Sequence, residues 1–336
     1  MTPVSSSAAK QIAATANNDG ERPVGCGGQR SSFPEWLQPP PGYIRGGCNL
    51  HTLVITRLEP FLYRHVYISP DCARQRAMEA FFYIIDSKPP SFLAKSVRRI
   101  VLEFFDGSEM ATEELVNRVY AALRLCTGVQ EIVVNASDEM DIGRTLFPIF
   151  SAMPLCRLGV FLEDLMPHPV AMASHAAAFP FLTHLEVYDN EGHSSHSRDL
   201  LRVIPFVVAL PKLTHLALHV LLGATVVKKI LNECYHLEVL AFVTRAPHPI
   251  FWPFMEGIQH LSQSLGDPRI MGTTCGQWME ALSDVRDGFW RVLEIFIDQK
   301  RRGLIHDHHA LTGDIHALTT TDTVAKQLQA LIADKT

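Results

Sequence analysis

The sequence predicts an α/β fold in which an open parallel sheet is backed by a layer of helices. Three observations predict it. Short apolar runs recur with apolar residues at offsets 0, +3 and +5, beginning at Tyr63, Val97, Val129, Leu155, Leu182, Leu213 and Leu237. These starts lie roughly 24 to 34 residues apart, long enough for a crossover helix and too long for a tight hairpin. Finally, the segments between them place apolar residues at i, i+3/i+4 and i+7, the helical period. The clearest pair of copies is Leu182-Thr183-His184-Leu185-Glu186-Val187 and Leu213-Thr214-His215-Leu216-Ala217-Leu218.

Composition bounds the class. The chain has 336 residues, 47% hydrophobic and 19% charged, as a globular protein with a sizeable core requires. Net charge is −5 with both signs scattered, so no basic face exists to neutralise phosphates and no nucleic-acid partner is expected. No run of 18 apolar residues occurs, so no membrane partner is expected either. The N-terminus lacks the apolar h-region of a secretory signal. Seven cysteines stand at positions 26, 48, 72, 126, 156, 234 and 275 with no CxxC. They read as reduced, buried thiols of an intracellular protein, in cytoplasm or nucleus.

Along the chain, residues 1–42 are rich in Ser, Ala, Asn, Gly and Pro and read as a disordered tail that buries too little to offset its ordering entropy. Residues 43–68 lead into the array through a helix at 50–62, interrupted by Pro60, and a strand at 63–68. A helix at 71–88 presents Met78, Phe81, Phe82 and Ile85 at one face, and Pro89-Pro90 stops it. Further helices are expected at 113–125, 145–152, 170–178, 199–209 and 224–234. After Phe242 the pattern decays. Residues 252–265 read as a helix and Arg269-Ile270-Met271 as a degraded strand. A long amphipathic helix at 276–302 carries Trp278, Leu282, Val285, Phe289, Trp290 and Leu293. A last helix at 321–334 has Val324, Leu328 and Leu331 on one face.

One strand–helix unit cannot bury its own apolar faces; stacked units can. The reading is therefore an irregular leucine-rich-repeat-like solenoid over 69–273, with 274–336 as a C-terminal helical cap and tail. A doubly wound α/β domain also alternates strand and helix. The fixed offsets, and the lack of a Gly-rich strand–helix turn, favour the solenoid.

Reaction motifs are missing: there is no GxSxG, GxxxxGK[ST], HExxH, EF-hand or zinc-finger spacing. No catalytic residue, cofactor or metal is assigned. His306-Asp307-His308-His309 with His316, and His193 with His196, read as solvated loop residues. Trp252 and Trp290 read as core or capping contacts. If +3 and +5 point into the core, then +2, +4 and +6 point out of the sheet. That places Arg99, Glu131, Arg157, His184 and His215 at +2, Glu186 at +4, and Tyr188 and His219 at +6. This aromatic, His and Arg surface is the candidate concave binding face for a protein partner; the alternatives are that the C-terminal helices fold over it or that it merely faces solvent. His184 and His215 should lie side by side on it, outside any metal centre. Burial of those two beneath a helix of the array would count against the register.

Three stretches carry a family resemblance: Val97-Arg98-Arg99-Ile100-Val101-Leu102, Leu182-Thr183-His184-Leu185 and Leu213-Thr214-His215-Leu216. They resemble a large fungal, mainly basidiomycete, family of F-box-like proteins with degenerate leucine-rich repeats. Leu58-Glu59-Pro60-Phe61-Leu62-Tyr63-Arg64-His65-Val66-Tyr67-Ile68 is similar to the segment where the F-box passes into the first repeat. Asp267-Pro268-Arg269-Ile270 and the Trp-containing helix after it are similar to the family's C-terminal end. The resemblance covers about residues 50–300. It implies a non-enzymatic recognition scaffold, the substrate-binding part of a ubiquitin-ligase receptor docking on a Skp1-type adaptor. Residues 1–49 do not supply the small helices of a complete F-box, and the asparagine ladder of regular repeats is represented only by Asn190. The competing readings are an α/β enzyme of unrecognised type and a decayed family member without function.

Overall fold

The structure, a computed structural model, describes residues 58–69, 75–104, 112–136, 142–166, 172–189, 200–245, 251–275, 286–305 and 311–314. The chain divides into Met1–Asn49, which lies outside the described residues, and Leu50–Thr336, which carries all that follows. The expected tail at 1–42, the His-rich stretch at 306–309, His316, His193, His196, Asn190 and the helix at 321–334 also fall outside the described residues.

Among the described residues the strands form one sheet, β1 (His65–Ile68), β2 (Arg99–Phe104), β3 (Glu131–Ala136), β4 (Arg157–Val160), β5 (His184–Val187), β6 (His215–Leu218), β7 (Val239–Arg245), β8 (Ile270–Cys275) and β9 (Leu311–Asp314). Their order in space is their order in sequence. Every pairing is parallel, and the sheet is open, with β1 and β9 at its two edges. The helices are α1 (Gln75–Ser87), α2 (Pro90–Ser96), α3 (Glu113–Leu125), α4 (Ile142–Ser151), α5 (Leu162–Leu165), α6 (Met172–His175), α7 (Ile204–Ala209), α8 (Ala224–Glu233), α9 (Phe251–Leu265) and α10 (Arg286–Arg301). No helix among the described residues is long and apolar enough to cross a membrane.

A backbone fork sets the register. The carbonyl at offset +1 of each run accepts two N–H groups from the next run. Arg64 O takes Arg98 N and Arg99 N, both at 3.0 Å, and Thr183 O takes Thr214 N and His215 N, both at 2.9 Å. Arg98, Gln130, Cys156 and Thr214 repeat the fork. With the heads of the strands aligned, offsets match all along the ladder: Arg99 opposes Glu131, Glu131 opposes Arg157, Arg157 opposes His184, and His184 opposes His215.

That register sends +3 and +5 to one face. Ile100, Ile132, Leu158, Leu185 and Leu216 at +3, and Ile68, Leu102, Val134, Val160, Val187 and Leu218 at +5, are all buried in the main core. Helices supply the opposite wall: Met78, Phe81, Phe82 and Ile84 from α1, Val119, Tyr120 and Leu123 from α3, Val227 and Ile230 from α8. The start of α3 shows the local chemistry. The Thr112 side chain accepts the Leu115 N–H at 3.2 Å, acidic Glu113 and Glu114 fill the first turn, and Arg124 fills the last, each complementing the helix dipole. In β8 the inward +5 position is Gly272. A Cβ there would lie 2.7 Å from Ile258 Cδ1 of α9, so glycine lets that helix sit directly on the sheet.

Two expectations are corrected at this level. Pro89-Pro90 ends α1, but Pro90 also opens α2 as its first residue, where the missing N–H costs nothing. The degraded strand at Arg269 is a full six-residue strand, and β9 follows it without having been foreseen. Cys126, Cys156 and Cys234 are free thiols. Burial pushes Cys126 up to about 12 and Cys234 up to about 11, which keeps both in the unreactive thiol form.

The position of α10 matters most for the site. It lies on the opposite face of the sheet from the other helices. Phe289, Trp290, Val292, Leu293, Phe296 and Ile297 cluster with the outward residues Ala217, Val239, Ala241, Val243 and Met271. Lys300 Nζ donates to Ile270 O at 2.8 Å, and Arg301 Nη2 donates to Glu238 O at 3.0 Å. Gly303, at φ 68°, ends the helix. Its N–H reaches Lys300 O at 2.8 Å and Leu304 N–H reaches Gln299 O at 3.0 Å, the paired bonds of a Schellman termination. This turn carries Ile305 back into the outer cluster.

Phe296→Ala should lower the stability of the chain by about 3–5 kcal/mol, since the side chain is fully buried. Gly303→Ala should cost about 1–2 kcal/mol through its left-handed backbone. Urea denaturation midpoints measure both.

Candidate functional site

The outward rows form a strip that is polar over β2 to β6 and apolar over β6 to β8. In the +2 row Glu131 stands between two cations: Arg99 Nε lies 3.2 Å from Oε1 and Arg157 Nη1 lies 3.7 Å from Oε2. Beside it, Val101, Val133 and Tyr188 form a small buried cluster against which Tyr67 and Phe161 pack. Phe161 and Tyr188 meet edge to face at 5.6 Å. Tyr188 Oη donates to Glu186 Oε2 at 3.1 Å, and His219 Nε2 lies 3.1 Å from Glu186 Oε1. Each of the eight sequence-selected residues therefore lies on this one face, in contact with at least one other.

Their exposure differs from that of a solvated surface. Arg99, Tyr188 and His215 are 7%, 3% and 4% exposed. A charged or aromatic row at near-zero exposure acts through internal pairing.

His184 and His215 are the centre of the strip. They oppose one another across β5 and β6 and stack at 4.2 Å between ring centroids, 7° apart in plane. Trp290 of α10 presents its ring edge-on to both, at 5.1 and 5.6 Å. Glu294, one turn after Trp290 on the same helix, brings Oε1 within 3.2 Å of His215 Nε2. So a helix does cover His215, yet the register stands. The covering helix is α10, laid on the outer face, rather than a helix of the inner layer.

Each imidazole is held from behind by the threonine before it. Thr183 Oγ1 donates to Cys156 O at 3.0 Å and lies 2.8 Å from His184 Nδ1. Thr214 Oγ1 donates to Thr183 O at 3.1 Å and lies 2.8 Å from His215 Nδ1. A hydroxyl has one proton. When that proton is on the carbonyl, Oγ1 accepts from Nδ1–H, and the ring then carries its proton on Nδ1 and a lone pair on Nε2. Burial, with the positive charges of Arg157 and Arg301, lowers His215 to about 4, which keeps it neutral near pH 7.

Carboxyls around the strip are displaced the other way. Burial pushes Glu103, at +6 of β2, up to about 7. Burial first, then the charges of Asp189 and Glu163, pushes Asp164 up to about 7. Asp189 is raised to about 6 by burial, against the opposing hydrogen bonds from Leu162 N and Glu163 N. Those bonds, at 2.7 and 3.3 Å, tie the fifth run to the start of α5 in the fourth.

Sequence reasoning missed Glu294 and Asp189, whereas Trp290, read as a core or capping contact, is buried against the outward rows. Glu294 had a weak signal: it is a carboxylate adjoining the apolar stripe of Trp290, Leu293 and Ile297. The apolar turn of the outward rows at Ala217, Val239, Ala241 and Val243 was the readable sign that something covers that end. The Trp252 side chain lies outside the described residues.

Raised carboxyl pKa values mean that the folded chain holds protons which unfolded carboxyls, near 4, have released. The contribution of Glu103, Asp164 and Asp189 to stability should therefore fall as pH rises from about 4 to about 7, against an opposing rise from His215, whose pKa is lowered. Glu103→Gln should flatten that fall by on the order of 1 kcal/mol, read from denaturation midpoints at several pH values. No family model and no curated protein matches this chain.

Proposed function

We propose that the chain is a non-enzymatic protein-recognition scaffold of the F-box-like, degenerate leucine-rich-repeat type, acting inside the cell in cytoplasm or nucleus. The observation that carries this reading is the strictly sequential strand order. Doubly wound enzymes place ligands in the crevice where strand order reverses. Among the described residues the order never reverses, and from β1 to β7 each unit adds to its predecessor in the same register, as stacked repeats do.

The adaptor contact belongs at the β1 end. Residues 58–62 form a helical turn just before β1, and there Leu58, Phe61 and Leu62 are 56%, 65% and 72% exposed. Three large apolar side chains exposed together on one turn are characteristic of a docking surface. On this reading a Skp1-type adaptor docks there. A substrate protein would meet the outer strip at its half-buried members Glu131, Arg157, His184, Glu186 and His219, with the buried Arg99, Tyr188 and His215 holding them in place from within.

The test is co-purification of the full chain with a Skp1-type adaptor. The wild type should retain the adaptor, and the triple variant Leu58→Ala, Phe61→Ala, Leu62→Ala should lose it while keeping its circular dichroism. A wild-type chain that leaves the adaptor in the flow-through removes the ubiquitin-ligase role.

A further inference from the structure

We propose that His184 Nε2, His215 Nε2 and the Glu294 carboxylate form a binding site for a divalent transition-metal ion of the zinc type. The ion would clasp α10 to β5 and β6. Nothing in the recognition reading requires this site.

The first ground is convergence. One ligand atom from each of the three residues lies within 4.8 Å of the others. They come from two adjacent strands and from a helix far along the chain.

The second ground is an unsatisfied atom. His215 Nε2 is buried and makes no hydrogen bond, although Glu294 Oε1 is 3.2 Å away. A lone pair and a carboxylate oxygen at that distance repel unless a cation lies between them. Buried polar atoms without partners are few in folded proteins, and this one lies within 4.8 Å of a ligand atom of each of the other two residues.

Orientation supplies the third ground. Metal-bound histidines generally donate their other ring N–H to a fixed acceptor, which sets the tautomer and aims the lone pair. Both rings here do so in the same way. Thr183 and Thr214 accept from Nδ1 while their hydroxyls are anchored on Cys156 O and Thr183 O. The Thr-His pair is thus a repeated device that fixes two stacked imidazoles in one orientation beside Glu294.

Ligand chemistry selects the class of ion. Two neutral imidazoles and one carboxylate suit zinc and its neighbours, whereas calcium and magnesium require mostly oxygen. The Glu294 side chain is half exposed, so the site is reachable and leaves a fourth position for water. Capture would tilt the stacked rings toward each other and away from their present parallel arrangement, beside Trp290.

The test uses the full chain without a polyhistidine tag, stripped by a chelator. Titration with zinc chloride in a calorimeter should give one tight site, and cobalt(II) should show the absorption of a low-coordinate nitrogen–oxygen site. Glu294→Gln, at a half-exposed position, should fold normally and bind about 100-fold more weakly. Thr183→Val and Thr214→Val, which release the rings together with one hydroxyl–carbonyl bond each, should each weaken zinc by about 10-fold. His308→Ala with His309→Ala should leave the site intact. Equal zinc affinity in wild type and Glu294→Gln, or loss of the tight site in the His308/His309 variant, would overturn the proposal.

Discussion

The carbonyl one residue into each apolar run holds two N–H groups of the run that follows, and this fork sets the register of the sheet. It recurs at Arg64, Arg98, Gln130, Cys156, Thr183 and Thr214. A slip of one residue would carry every core side chain to the outer face. Because the fork fixes the first residue of each strand, connections of different length leave the faces unchanged. At Glu238 a side chain takes over: Arg301 Nη2 of α10 occupies the carbonyl at this offset. One interaction thus specifies the inner core, the outward rows, and the point where the covering helix attaches.

The two faces of the sheet are built by different rules. The inner face is continuous from Val66 to Ile270 and is closed by helices of the same units. Across the outer face the character changes from strand to strand. Paired charges at Arg99, Glu131 and Arg157 give way to the stacked imidazoles, and these to Ala217, Ala241 and Met271 under α10. The histidines stand at the boundary, which is why they can meet both a strand neighbour and a helix carboxylate.

Much of this was legible in the sequence because it is periodic. The offsets 0, +3 and +5 identified the inward residues from Val66 to Phe242, and their complement identified the outer rows, down to the pairing of His184 with His215. What was not legible depends on contacts distant in sequence. The amphipathic pattern of α10 shows that Trp290 and Leu293 are buried, but a helical period cannot say against which face. Glu294 therefore could not be singled out from the helical pattern. Asp189 was hidden for a related reason: a carboxylate that caps a helix in the preceding unit leaves no local capping pattern. The Pro89-Pro90 pair is ambiguous in principle, since proline both ends one helix and begins another.

The strand order also bears on how the chain reaches this structure. Each strand pairs with the next in sequence, so its loop closure spans a few tens of residues and the sheet can grow from any adjacent pair. Helix α10 is different. Its apolar face needs Ala217, Val239, Ala241, Val243 and Met271, which come from three strands, so it has no seat until β6, β7 and β8 are together. Its docking is a late, long-range event in an otherwise local assembly, and residues 286–305 act as the latch that closes after the sheet has formed.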